Sequence, residues 1–345
     1  MIIMPEIRKD YILDRWVIFA PERKIRPFLL KKSEEKENTA KCPFCPGNEW
    51  MTPPTIYQVG EPWKIRLVEN KFPALNPDIT LKHKKKLSSS MSGYGHHEVI
   101  IETNKHNETF CNLSPSQMRS VIETYIKRLK ILRKEPNIKY VLIFKNSGED
   151  AGTSISHTHS QLLALPVIPA LIEDEIKKSR EFYRKNKKCI FCEIIKKERK
   201  SERFLTENKD FFAIAPYASV WPGEVWILTK RHISDITSLN KREIENLSKM
   251  LLTILKSISK IFGNPDYNYA LHCVGNYNNF SSHTTKLTLK KSISCIAEES
   301  PFYHFHIEVQ PRLSKMGGAE VGGGIFINTV MPETFAMKFK ETKYD

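Results

Sequence analysis

Hydrophobic positions recur at helical spacing in two stretches of the chain. In SPSQMRSVIETYIKRLKIL, the residues Met118, Val121, Ile122, Tyr125, Ile126 and Leu129 fall on one face of a helix. Ser114 stands as N-cap, Pro115 at the first helical position, and Gln117 is placed to complete a capping box. NKREIENLSKMLLTILKSISKIFG repeats the device. There Asn240 caps, Glu243 follows three residues on, and Ile244, Leu247, Leu251, Ile254, Leu255 and Ile258 form the stripe, with Gly263 as the stop. Shorter runs around each helix (EVIIET, YVLIF, EVWIL, HIEVQP) alternate or are β-branched. They predict antiparallel strands with a helix packed on one face, an α+β fold.

The same landmarks appear twice in the same order. The first half reads CPFC (42–45), RLVENKFPAL, HEVIIETNKH, a helix, YVLIFKNSG and SHTHSQLLALP. The second reads CIFC (189–192), RFLTENKDFFAIAP, GEVWILTKRH, a helix, YNYALHCVG and YHFHIEVQPR. Five landmarks in register predict a duplicated unit, with a boundary in 170–185, drawn between 1–175 and 176–345.

Composition narrows the setting. The chain has 345 residues, 40% of them hydrophobic, enough to bury a sizeable core. No long apolar run predicts a membrane span, and the N-terminus lacks the pattern of a secretory signal, so the cytoplasm is expected. A net charge of +15 favours anionic partners. Nucleic acid is not expected, because the aromatics do not interleave with the basic residues as a stacking platform would require. Seven cysteines, four of them in two C-x-x-C pairs, argue for metal rather than a disulfide framework.

The duplication nominates the remaining metal ligands. His106 ends a strand in the first half, as His232 does in the second, and His157 and His304 each open an H-x-H. The expected sets are Cys42, Cys45, His106, His157 and Cys189, Cys192, His232, His304. Thiolate with imidazole favours Zn2+ in two closed, structural sites, with iron kept as the alternative at the second. His157 bound to metal leaves His159, two residues on and on the same strand face, free to act as nucleophile or base. Gln161 follows on that face and can donate its amide to the reacting centre. The loop NSGEDAGTS before it, with Gly148 and Gly152, suits a phosphate. His306, the counterpart of His159, is followed by Glu308 and is expected to be non-catalytic or structural.

These residues resemble the galactose-1-phosphate uridylyltransferases and related sugar-nucleotide phosphorylases, a two-domain branch of the histidine-triad superfamily. The likeness rests on FKNSGEDAGTSISHTHSQLLALP and extends through DRWVIFAPERKIRP, CPFCPGNE, ENKFPAL, CIFC, YHFHIEVQPRL and GGAEVGGGIFINTVMPE. It implies duplicated histidine-triad-like domains and a ping-pong nucleotidyl transfer. His159 attacks the α-phosphorus of a nucleoside diphosphate sugar, and a hexose 1-phosphate takes the nucleotidyl group. The resemblance also implies that Gln161 and Ser154 bind the α-phosphate. Asn146, Asn70, Arg23 and Arg26 lie near the nucleotide. Lys315, Gly317, Gly318 and Glu320 contact sugar phosphate across a homodimer. Thr158 and Ser160 stand where the best-known uridylyltransferases have Pro and Gly, and Lys71 where they carry Asp. That pattern resembles phosphorylase-like members, including ones that use ADP-glucose. The first expectation is UDP-glucose–hexose-1-phosphate uridylyltransferase activity. The alternatives are an ADP- or UDP-sugar phosphorylase and a dinucleoside polyphosphate hydrolase or phosphorylase. Segment 276–300 is longer than expected between its strands and is read as an insertion.

Overall fold

The computed structural model describes residues 4–25, 41–84, 87–274 and 300–342. Arg26 and nearly all of the 276–300 insertion lie outside the described residues. The first half contributes β1 (Glu6–Lys9), β2 (Trp16–Phe19), β3 (Thr55–Val59), β4 (Ile65–Glu69), the short pair β5 (His83–Lys84) and β6 (Ser90–Met91), β7 (His96–Ile101), α1 (Pro115–Leu132), β8 (Tyr140–Ser147) and β9 (His159–Leu165). Then follow α2 (Ala170–Asn186), α3 (Ile190–Glu198), β10 (Phe204–Glu207), β11 (Phe211–Ile214), β12 (Val225–Thr229), α4 (Lys241–Phe262), β13 (Tyr267–His272), β14 (His306–Pro311), α5 (Gly318–Gly323), β15 (Phe326–Asn328) and α6 (Pro332–Glu341). Helix α2 runs through the boundary expected at 175/176.

The repeat is written into the sheet. Ten strands run in the order β10-β11-β12-β14-β13-β8-β9-β7-β4-β3, so each half mirrors the other about the β13–β8 seam. That seam is antiparallel, from Tyr267 opposite Ser147 to Leu271 opposite Ile143. Strands β1, β2 and β15 form a separate three-stranded sheet, with β15 parallel to β2.

The helical stripes bury as the spacing predicts. Helix α1 places Met118, Val121, Ile122, Tyr125, Ile126 and Leu129 in the core, and α4 does the same from Ile244 to Ile258. Each such aliphatic side chain contributes about 1.5–3 kcal/mol by leaving water. Asn240 and Glu243 close the expected capping box on α4, and Gly263 ends it at φ 71°. The box expected on α1 is only half made. Ser114 accepts from the Gln117 amide, but the Gln117 side chain donates instead to the carbonyls of Lys64 and Glu102 (2.9 and 2.7 Å). It thereby ties together two carbonyls that flank the start of β4 and the end of β7.

Alternation decides what each face carries. On β9, Leu162 and Ala164 turn into the core with α1 and α4, as Ile307 and Val309 do on β14. His159 and His306 therefore point to the opposite face. Over the second half that face is covered by α2 and α3, whose Ile172, Ile176, Ile190 and Phe191 pack on Trp226, Leu228 and Tyr303. Over the first half the CPFC knuckle sits there instead, packing Phe44 on Val68, Val99 and Ile101. No helix among the described residues is long and apolar enough to cross a membrane.

Candidate active site and metal-ligand clusters

The structure assembles both Cys/His sets. The donor atoms of Cys42, Cys45, His106 and His157 lie within 4.8 Å of one another, as do those of Cys189, Cys192, His232 and His304. Cys45 Sγ stands 3.3 Å from His106 Nδ1 and 3.6 Å from His157 Nδ1. Cys192 Sγ stands 3.4 Å from His232 Nδ1 and 3.6 Å from His304 Nδ1. A tetrahedron with Zn–S of about 2.3 Å and Zn–N of about 2.0 Å has S···N edges of about 3.5 Å. The tautomers also suit a metal. His157 Nε2 donates to Thr103 O, His304 Nε2 to Thr229 O and His232 Nε2 to Ser300 O (2.8, 2.8 and 2.9 Å). Each ring therefore turns a bare Nδ1 toward the thiols.

His159 is held differently. Its Nδ1–H donates to His157 O at 2.8 Å, which leaves Nε2 as the unprotonated nitrogen. Burial, then the nearby Lys145 charge, pushes its pKa down to about 4, so the ring is neutral at pH 7. Phe44 of the knuckle meets the ring edge-on, with centroids 5.1 Å apart. The second knuckle likewise sets Phe191 against His306, with centroids 4.7 Å apart, but tilted at 36° and not edge-on. The shared aromatic in CPFC and CIFC was a readable signal that the sequence reasoning passed over.

His159 opens into a cavity of about 290 Å³ that Ser154, Gln161, Asn70, Lys71 and Phe72 also line. On its other side, a cleft of about 50 Å³ brings in Asn146, Gly148 and Thr153. Asn146 Oδ1 accepts from Asn268, and its Nδ2 faces Gly152 O at 3.5 Å. Gly152 closes this loop at φ 87°, a left-handed conformation that glycine adopts without strain. Among the described residues, the remaining expected ones do not line this cavity. Arg23 is exposed on a short 3-10 turn after β2. Lys315 pairs with Asp150 at 3.2 Å, and Glu320 accepts from the Gly317 amide as a cap of α5. Neither they nor Gly317 and Gly318 line the His159 cavity of their own chain. A larger apolar depression of about 370 Å³, by β5, β6 and Pro166, faces none of this chemistry.

Thr158 and Ser160 face away from the cavity. Buried Lys145 donates to Glu102 Oε2, Thr158 Oγ1 and His159 O (2.5, 2.7 and 2.8 Å). Ser160 and Tyr125 donate to Glu102 Oε1, and Tyr269 of the second half joins Tyr125 at 2.5 Å. The two hydroxyl residues thus fasten the strand from behind.

A further cluster escaped the sequence reading. Glu175, His272, His306 and Glu308 bring their donor atoms within 4.8 Å, all buried. Burial opposes charge on His272, yet Glu175 and Glu308 outweigh it and raise its pKa to about 9. His306 Nδ1 donates to His304 O at 3.0 Å, as in the first half, but α2 has closed the face above it. His306 is fully buried, in keeping with a structural histidine. The readable signal was His272, which pairs directly across β13–β14 with His306.

A duplicated antiparallel unit, a pair of Cys/His clusters and a cavity-lining histidine beside the first of them are the marks of the two-domain class that the sequence resembles. The family models place the chain within it. Residues 1–169 match "Galactose-1-phosphate uridyl transferase, N-terminal domain" and 175–333 match "Galactose-1-phosphate uridyl transferase, C-terminal domain". The chain belongs to this family. Among curated relatives, an Arabidopsis thaliana ADP-glucose phosphorylase is 33% identical over 98% of this chain and 93% of its own. A Thermotoga maritima galactose-1-phosphate uridylyltransferase is 28% identical over 99% of this chain and 100% of its own. The crystal structure of an Arabidopsis thaliana ADP-glucose phosphorylase with bound ADP-glucose superposes with a TM-score of 0.81 at 30% identity, covering 98% of this chain and 99% of that one. The family thus comprises uridylyl- or nucleotidyltransferases and sugar-nucleotide phosphorylases.

Proposed function

We propose that the chain transfers a nucleotidyl group from a nucleoside diphosphate sugar to His159, and from there to a phosphate-bearing acceptor. The observation that carries this reading is the His159 ring: Nδ1 tied to His157 O, Nε2 bare and facing the cavity that Gln161 and Ser154 share. Nε2 attacks the α-phosphorus, a P–N bond forms, and the P–O bond to the sugar 1-phosphate breaks with its electron pair on the leaving oxygen. The acceptor's phosphate oxygen then attacks the same phosphorus, and the P–N bond breaks to restore neutral imidazole. Gln161 Nε2–H and the Ser154 hydroxyl donate to the non-bridging oxygens as charge builds. Asn146, Gly152 and Asn70 frame the nucleotide; Arg23, which does not line the cavity, and Arg26 are kept as nucleotide-binding residues on the family resemblance alone.

Zn2+ is the proposed occupant of both Cys/His sets, where it anchors the two knuckles and takes no part in transfer. The proposed units are 1–175 and 176–345 in a cytoplasmic homodimer. Lys315, Gly317, Gly318 and Glu320 then serve the partner's cavity.

Two relatives divide the finer reading. An ADP-sugar as donor with inorganic phosphate as acceptor is supported by the 33% identical ADP-glucose phosphorylase and by Thr158, Ser160 and Lys71. UDP-glucose with a hexose 1-phosphate, first from sequence, is supported by the Thermotoga maritima relative. One assay separates them. ADP-glucose and UDP-glucose are each incubated with phosphate or galactose 1-phosphate. Release of ADP and glucose 1-phosphate from ADP-glucose and phosphate is expected. Turnover confined to UDP-glucose with galactose 1-phosphate reverses the assignment. Full activity in His159→Ala removes the mechanism altogether.

A further inference from the structure

Gln161 can assist transfer only if its amide N–H, not its carbonyl, faces the phosphate. The two ends of a primary amide are nearly alike in shape, so something must choose between them. We propose that His97 makes that choice. It is a positioning residue that locks Gln161 with its carbonyl turned inward and its NH2 turned to the cavity. The inference rests on the nucleotidyl-transfer reading.

The geometry begins with strand register. On the β7–β9 ladder Gln161 lies opposite Val99, and His97 is the diagonal neighbour on the same face. His97 Nε2 stands 2.9 Å from Gln161 Oε1. Which nitrogen of His97 carries hydrogen is decided at its other end. The backbone N–H of Ala74 points at Nδ1 from 3.1 Å. A backbone amide can only donate, so Nδ1 must be bare, and the neutral ring carries its hydrogen on Nε2. Nε2–H then needs an acceptor, and the Gln161 atom that meets it is the carbonyl. Among the described residues this is the single side-chain hydrogen bond Gln161 makes, so its NH2 is left for the cavity.

One contact competes. Asn70 Nδ2 lies 3.1 Å from the same Nε2. Asn70 cannot turn its carbonyl there, because Oδ1 already accepts from the Phe72 amide at 2.9 Å. The opposite tautomer, with Nε2 accepting from Asn70, would set two hydrogens between Nδ1 and the Ala74 nitrogen. The backbone donor therefore decides the tautomer, and Gln161 is left with its NH2 for the cavity that it and Asn70 line. Turning donors toward one cavity is what an anionic phosphate requires.

The test uses His97→Leu and His97→Gln in the full chain. Glutamine can place an amide donor near the position of Nε2–H, whereas leucine cannot. His97→Leu is expected to lower kcat about 10- to 100-fold with KM for the sugar nucleotide changed by less than about threefold, within the roughly 10²–10³-fold cost of losing one oxyanion donor. His97→Gln is expected to recover most of the loss. In a Gln161→Ala background, His97→Leu is expected to bring no further loss in kcat. A purely structural role would make the two losses multiply and would not be rescued by glutamine, and either result overturns the proposal. Nitrogen-15 spectra of the substrate-free protein supply a readout independent of turnover: His97 Nδ1 is expected bare and Nε2 protonated, and the reverse tautomer overturns the proposal. If the unaltered protein turns over no sugar nucleotide, the transfer reading fails and this inference falls with it. If it does turn them over and the His97 series is flat, the positioning role alone fails.

Discussion

Replacing Lys145 by Met tests whether the strand carrying His159 is held from behind by a buried charge pair. Lys145 and Glu102 are 1% and 0% exposed, and the ammonium fills all three of its donor positions, on Glu102, Thr158 and the His159 carbonyl. Methionine keeps much of the volume and the contact with Phe110, whose ring lies 4.5 Å from Nζ. It removes the charge, however, and leaves the Glu102 carboxylate buried without a counter-ion. Breaking a buried pair on one side costs about 3–5 kcal/mol. At about 2.1 cal/mol/K per residue of unfolding entropy, a 345-residue chain loses roughly 4–7 °C in Tm. The assay is thermal unfolding followed by circular dichroism, at matched protein and metal content because bound metal shifts Tm by itself. Adding Glu102→Gln neutralises the stranded carboxylate and is expected to return more than half of the loss. Because His159 O also loses its donor, kcat is expected to fall in the single variant. A Tm within about 1 °C of the unaltered protein, or a double variant no more stable than the single, would refute the reasoning.

The other predictions concern the transfer chemistry and its frame. His159→Ala is expected to abolish nucleotidyl transfer from every donor, and rapid quenching of the unaltered protein with labelled donor should trap label on His159; a fully active variant contradicts the mechanism. Elemental analysis is expected to return about two zinc ions per chain, falling by one in Cys42→Ser and by one in Cys189→Ser, and fewer than about one in the unaltered protein contradicts both sites. Gly148→Ala should weaken sugar-nucleotide binding and stability together, since a Cβ there would lie 2.0 Å from Asp266 Cγ and φ is +91°; a cost of about 2 kcal/mol or more is expected by chemical unfolding, and an unchanged midpoint counts against it.

Much of the site was legible because its signals are local or repeated. The α1 and α4 stripes follow from helical spacing, and the metal-ligand sets follow from aligning one half with the other. Strand spacing predicts His157 and His159 on one strand face, but in the fold His157 sits on a bend before β9 and His159 is the first residue of the strand. Other features depend on partners far away in sequence. His97 becomes a neighbour of Gln161 only through the register of β7 on β9. Lys145 meets Glu102 across 43 residues, and Tyr269 reaches Ser160 from the other half of the chain. Gln117 looks like half of a capping box in sequence, and two carbonyls at a strand end draw it away. The family resemblance implies that Lys315 contacts sugar phosphate across a dimer, and in the fold of the single chain it is paired with Asp150.

The amino-acid sequence by itself determined the duplicated α+β unit, the two Cys/His sets and, within each H-x-H, which histidine is left outside its set. These rest on periodicity and on alternation, which are properties of the backbone and need no knowledge of the fold. Tertiary structure decided which of two equivalent histidines is open. The strands carrying His159 and His306 present the same ladder and the same knuckle aromatic. After the duplication, α2 and α3 lie over His306 and bury it among Trp226, Tyr303 and His272, while His159 keeps its cavity. Burial of that face depends on where a helix packs after the chain leaves β9, and that is settled by the free energy of the assembled core, not by any pattern within the H-x-H motif itself.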